Sequence, residues 1–133
     1  MLEHPIDAID EAILQALVDN QVAERRDLEF KRDLPGRNDE QVREFLADIT
    51  SLANAQGGDL IYGIEDENGI AAGLPGVEVA DHDAEILRLE SSLQANVAPR
   101  LVGVRTHWVA LANGRGAIVL RVPASLAAAR GCR

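Results

Sequence analysis

Cysteine is almost missing from this chain: there is one, Cys132, in 133 residues. That excludes a disulfide framework and a thiolate metal centre. Aromatic residues make up only 3% of the sequence, so any core must be built from Leu, Ile, Val and Ala. No apolar run reaches the length of a membrane-crossing helix. The opening, Met1-Leu2-Glu3-His4-Pro5, has neither the basic start nor the apolar run of a secretory signal. Together these absences lead us to expect a cytoplasmic protein. Lysine is as scarce as cysteine. Twelve arginines stand against one lysine, Lys31, a bias expected of a GC-rich, bacterial coding sequence. No Gly-Lys is followed by Ser or Thr, so there is no P-loop. His4, His82 and His107 share no metal-ligand spacing, no Ser-His-Asp arrangement can be argued, and no two helices are joined by the short turn of a helix-turn-helix reader.

What the chain has is one core's worth of apolar residues, 47%, at single-domain length, and a net charge of −9. An acidic balance argues against nucleic acid, but the charge is unevenly placed. All 22 acids lie in residues 1–99, while residues 100–133 carry six arginines and no acid. Such an asymmetry can steer a phosphate backbone to one edge, which makes Arg100, Arg105, Arg115 and Arg121 candidate nucleic-acid contacts. Arginines that merely decorate two exposed strands would give the same pattern.

Periodicity predicts three helices and about five strands. Ile6, Ile9, Ile13, Leu14, Leu17 and Val18 recur at helical spacing and predict a helix over Asp7–Asn20. Leu28-Glu29-Phe30-Lys31 alternates with a period of two, inside a strand over Asp27–Arg32. After the Pro35-Gly36 loop, Asn38 is placed to cap a second helix, with Gln41 in the capping-box position. Its apolar stripe is Val42, Phe45, Leu46, Ile49, Leu52 and Ala53, with Glu40, Arg43, Glu44 and Asp48 lying away from it. A glycine of Gln56-Gly57-Gly58 is expected to close the helix. Leu60–Ile64 reads as a buried strand, Asn68-Gly69 as a hairpin tip and Ile70–Leu74 as the return strand. Asp81 or Asp83 caps a third helix carrying Ile86, Leu89, Leu93 and Val97, stopped by Pro99. Arg100–Leu111 and Ala117–Val122 form the last hairpin. The domain is expected over residues 1–125, with residues 126–133 a frayed tail.

The candidate chemistry lies in carboxylates. Glu24 and Glu29 are five residues apart around the start of the first strand, and Asp66 falls at the end of a second. Strand ends brought together by a sheet often build a site. Three carboxylates with water suit magnesium or manganese, which favour hard oxygen ligands and can activate water for phosphodiester cleavage. Lys31 would add a cation beside the phosphate. The plainer account of the same residues is a solvated ion pair and a set of turn acids.

Glu24, Leu28-Glu29-Phe30-Lys31, the run Leu52-Ala53-Asn54-Ala55-Gln56-Gly57-Gly58-Asp59-Leu60-Ile61-Tyr62-Gly63-Ile64-Glu65-Asp66 and Arg121-Val122-Pro123-Ala124-Ser125 together resemble the Schlafen AlbA-type domain. The resemblance runs from about Ile9 to Ser125. It implies an α+β fold with a mixed, largely antiparallel sheet flanked by helices, and work on nucleic acid. Two forms of that work occur in the family. One is a metal-dependent endoribonuclease that cuts structured RNA such as tRNA with two glutamates and an aspartate. By motif position these fall on Glu24, Glu29 and Asp66. The other is a non-catalytic DNA-binding module of bacterial regulators. A silent, dimerising interaction domain is a third reading. The nuclease core of Schlafen proteins has two such lobes and this chain has one, so a homodimer is expected.

Overall fold

One strand is buried on both faces along its whole length, and the rest of the chain is arranged around it. This is β2 (Gly57–Tyr62), the second strand of a four-stranded sheet ordered β1-β2-β6-β5. The computed structural model describes residues 1–96 and 103–124. β1 (Leu28–Lys31) runs parallel to β2, because the helix α2 (Asp39–Asn54) carries the chain across between them. β6 (Gly116–Pro123) pairs antiparallel with β2 on one side and with β5 (Arg105–Ala110) on the other. A separate two-stranded sheet, β3 (Glu65–Glu67) with β4 (Ile70–Gly73), stands beside the main one. The architecture is therefore α+β, with a mixed and mostly antiparallel main sheet.

Side-chain alternation sorts the core into two layers. Leu28, Phe30, Ile61 and Val119 face a layer built from Ile6, Ile9, Leu14 and Leu17. Leu60, Tyr62, Ile118, Leu120 and Val122 face the opposite layer, where α2 contributes Phe45, Ile49 and Leu52, and α3 (His82–Asn96) contributes Leu89 and Leu93. Glu29 and Lys31 alternate with Leu28 and Phe30, so they project on the α2 side. The α2 stripe read from the sequence is the one that is buried.

Several boundaries differ from the sequence reading. The first helix is broken. A 3-10 turn, Ile6–Ala8, precedes α1 (Glu11–Asp19), because Asp10 adopts an extended conformation and its carboxylate accepts the Ile13 N–H at 3.0 Å. Asn38 caps α2 as expected, accepting the Gln41 N–H at 2.8 Å. The left-handed residue that closes α2 is Gln56 (φ 75°), with Gly57 (φ 93°) directly after it, so β2 starts at the glycine itself. Gly58 is required for another reason: a Cβ there would lie 2.5 Å from the Asp27 carbonyl oxygen. At the hairpin tip Asn68 and Gly69 both have positive φ, at 54° and 81°, which is the turn that suits twisted antiparallel strands. Asp81, rather than Asp83, caps α3, accepting the N–H groups of Asp83 and Ala84. The long strand expected over Arg100–Leu111 is seen from Arg105 to Ala110. Val97, Pro99 and Arg100 lie outside the described residues, as does the tail from Ser125.

Candidate nucleic-acid site at the open edge of the sheet

β1 is an edge strand, and the Phe30 N–H points away from β2. The Glu24 carboxylate accepts that N–H at 2.9 Å, so the short stretch before β1 folds back along its open side. The Glu24 backbone is fixed too. Its N–H donates to the Gly69 carbonyl at 2.6 Å, and the Ala71 N–H donates to the Val22 carbonyl at 2.9 Å. Residues 22–24 thus run beside β4 as a partial third strand of the small sheet. Gly69 in turn donates its own N–H to the Asp66 carboxylate at 3.0 Å. One turn residue therefore joins Glu24 to Asp66. Asp66, Glu65 and Glu67 are all exposed.

Glu29 and Lys31 stand on the other side of β1, against α2. The Lys31 ammonium lies 3.9 Å from Glu29, 3.2 Å from Glu44 and 3.7 Å from Asp48. The sequence places Glu44 and Asp48 away from the apolar stripe of α2. They do lie off its apolar stripe, but Lys31 from β1 reaches them. The signal that could have found them was their four-residue spacing, which stacks two acids on one helix face. Burial, and then the neighbouring Asp48 charge, pushes the Glu29 carboxyl up from its ordinary value. Burial also pushes the Asp48 carboxyl up, although Lys31 pulls it back. Burial works against the charged Lys31, yet the carboxylates of Asp48, Glu44 and Glu29 outweigh it and raise its pKa. The Tyr62 hydroxyl is raised by burial, with the Asp48 and Glu29 charges adding to it.

Two small clefts flank this cluster, each about 180 Å³. One is lined by Glu24, Arg25, Arg26, Glu29 and Ser51, the other by Lys31, Asp33, Gln41, Glu44, Asp48 and Tyr62. Arg26 is exposed beside the first cleft, and Arg32 lies 3.9 Å from Glu65 on the hairpin. The sequence reading does not include these arginines, because the charge asymmetry points to the C-terminal third. Their adjacency to Glu24 and Lys31 in the sequence was the available signal.

Among the described residues, Arg105, Arg115 and Arg121 do not join this edge. Arg121 is only partly exposed. Its guanidinium holds the fully buried Asp59 at 2.9 and 3.0 Å and also donates to the carbonyls of Leu2 and His4. Arg121 projects toward the α1 layer because it registers with Asp59 across the β2–β6 pair, and this corrects its assignment to phosphate binding. Arg105 is exposed, but on β5, three strand spacings or about 14 Å from β1. Arg115 sits in the β5–β6 turn, 3.4 Å from Glu78. Arg100 lies outside the described residues.

The donor chemistry of Glu24, Glu29 and Asp66 is that of a magnesium or manganese site, but the spacing is wider. Among the described residues no three His, Cys, Asp or Glu side chains are disposed to hold one ion. Glu24 and Asp66 each have a carboxylate oxygen accepting a backbone N–H. As arranged, the three do not enclose a metal. No helix among the described residues is long and apolar enough to cross a membrane.

Comparison with known proteins agrees with this organisation. No curated protein matches the chain. The Schlafen, AlbA_2 family model matches residues 24–129, which begins at Glu24 and takes in β1, the glycine pair, the acidic hairpin and the last strand. That match covers well over half of the sequence, and the chain belongs to the Schlafen AlbA_2 family.

Proposed function

We propose that this domain binds nucleic acid at the open edge of β1 and cleaves structured RNA such as tRNA there. The observation that carries the reading is the position of Lys31. The chain's single lysine stands beside Glu29 at the sheet edge, Arg26 shares a cleft with Glu24 and Glu29, and Arg32 follows Lys31 in the chain, near Glu65. In this reading Lys31, Arg26 and Arg32 contact phosphates, and Glu24, Glu29 and Asp66 supply the carboxylates of cleavage. Glu24, Glu29 and Asp66 would hold a magnesium or manganese ion only after their side chains rearrange, and the ion would then supply the chemistry of activating water. Lys31 stands in the same strand as Glu29, and the Gly69 backbone links the Glu24 N–H to the Asp66 carboxylate. RNA cleavage of this kind belongs in the cytoplasm. One lobe offers an edge rather than a groove, so we propose that two copies pair to form one, and light scattering that returned the 14.3 kDa monomer mass would contradict this.

A specific observation favours a second reading, a non-catalytic DNA-binding module: the three carboxylates do not enclose a metal, and two of them are engaged by backbone N–H groups. Incubation with tRNA or duplex DNA, with manganese or with chelator, separates the two. Manganese-dependent cleavage of tRNA supports the first. A salt-sensitive shift of duplex DNA without cleavage supports the second. Neither result would leave an interaction domain with a silent edge.

A further inference from the structure

Lys31 is one cation among three acids, and two of those acids come from the same helix. Glu44 and Asp48 are one turn apart on α2 and both face the Lys31 ammonium, at 3.2 and 3.7 Å. They are not equivalent. The Glu44 side chain is 64% exposed, whereas the Asp48 side chain is 17% exposed. A long exposed glutamate leaves a surface ion pair at little cost. A short aspartate set down between helix and sheet has no comparable freedom. An ammonium has three donors. One of them is hydrogen-bonded to Glu44 at 3.2 Å, while Asp48 and Glu29 hold the ammonium at ion-pair distance, 3.7 and 3.9 Å; a phosphate gains that hydrogen-bonding position on Lys31 when the exposed Glu44 gives way.

We propose that Asp48 is a positioning residue that holds the Lys31 ammonium at the sheet edge, and that Glu44 occupies the place on Lys31 that a nucleic-acid phosphate takes. This rests on the edge of β1 being the nucleic-acid site. It assigns opposite roles to two acids that simple electrostatics treats alike. Removing either negative charge should by itself favour a polyanion, so the sign of the effect is the test.

The experiment measures binding of labelled tRNA to the full chain across a salt series, with chelator present so that nothing is cleaved. Lys31→Ala should weaken binding and flatten the salt slope by about one. Glu44→Gln should tighten binding roughly two- to fivefold, since a displaceable competitor has gone. Asp48→Asn should weaken binding and flatten the slope in the manner of Lys31→Ala, although it removes a negative charge. Asp48→Glu should restore most of the loss. In a Lys31→Ala background, Asp48→Asn should produce no further loss. Tighter binding by Asp48→Asn, matching Glu44→Gln, would overturn the proposal, as would unchanged or weaker binding by Glu44→Gln. If Asp48→Asn fails to fold, as judged by circular dichroism, Asp48→Glu and Glu44→Gln still decide. Unchanged affinity and slope in Lys31→Ala would instead remove the edge as the binding site, and both readings would fall together.

Discussion

Two charged constellations flank the same central strand, and they are built on opposite plans. On the α1 side, Asp59 and Arg121 form a one-to-one pair. Asp59 is fully buried, and Arg121 donates to both its oxygens and to two backbone carbonyls. On the α2 side, Lys31 is shared among Glu29, Glu44 and Asp48 at 3.2 to 3.9 Å, with every member partly exposed. The first is balanced and closed. The second has excess negative charge and open clefts on either side. A balanced buried pair offers a ligand nothing, because breaking it leaves an uncompensated charge in the core. An unbalanced, half-exposed cluster retains unfavourable charge that a cation or a rearranged partner can relieve. The raised carboxyls of Glu29 and Asp48 are the electrostatic sign of that difference.

The comparison breaks first at the closed pair. Arg121→Ala should lower unfolding free energy by about 3–5 kcal/mol, since it leaves the fully buried Asp59 without its counter-charge, and Asp59→Ala should cost less, because Arg121 is partly exposed and keeps the carbonyls of Leu2 and His4. Urea melts read the loss. The salt slope of nucleic-acid binding by the protein that remains folded should be unchanged. A flattened slope for Arg121→Ala would return that residue to the phosphate surface.

At the open cluster the effects reverse. Glu29→Gln keeps the side-chain shape and removes the charge. Turnover on tRNA should fall on the order of a hundredfold or more, or about 2.7 kcal/mol at the lower bound. Stability should hold or rise slightly, because the charged form of Glu29 is disfavoured where it sits. Full turnover in this variant would end the catalytic reading of β1. A large drop in stability would make Glu29 a structural residue like Asp59.

The contrast also explains how much was legible beforehand. The alternation in Leu28-Glu29-Phe30-Lys31 and the stripe on α2 fixed which faces are buried, because both follow from local periodicity. The Asn68-Gly69 turn and the Asn38 cap are equally local. What stayed hidden depends on register. Whether Arg121 meets solvent or Asp59 is decided by the pairing of β2 with β6, residues 62 positions apart in sequence. Asp48 and Glu44 carry the right chemistry on a face that any surface helix would show. Only the placement of β1 beside α2 turns them toward Lys31. The break after Ile9 was missed because an apolar period of three to four continues through it.

A smaller effect is expected at the turn that joins the two halves of the site. Gly69 has φ 81°, and its backbone serves Glu24 and Asp66 together. Gly69→Ala should lower stability by about 1 kcal/mol, the cost of an L-residue in that conformation. Turnover should fall further than the loss of folded protein explains, because both carboxylates shift. A stability loss with normal turnover would separate the hairpin from the site.

The smallest effect is the dependence of stability on pH, and its sign distinguishes the two constellations. Glu29 has a carboxyl raised above its ordinary 4.5, so the fold holds that proton more tightly than the unfolded chain does. Unfolding then releases protons in the range between the two values, and stability rises as pH falls through the raised value toward 4.5. Asp48 acts in the same direction from its ordinary 3.8. The raised Lys31 contributes equally at every pH below 10.5, so it does not enter this window. Asp27 is held at about 2, by hydrogen bonds from the Met1 amino group and then Arg25, and its contribution is lost only below its ordinary 3.8. As pH falls through the raised Glu29 value toward 4.5, wild type should therefore gain melting temperature relative to Glu29→Gln, by about one or two degrees. Equal gains in the two proteins would mean that Glu29 feels no excess charge, and the contrast between the closed pair and the open cluster would then rest on geometry alone.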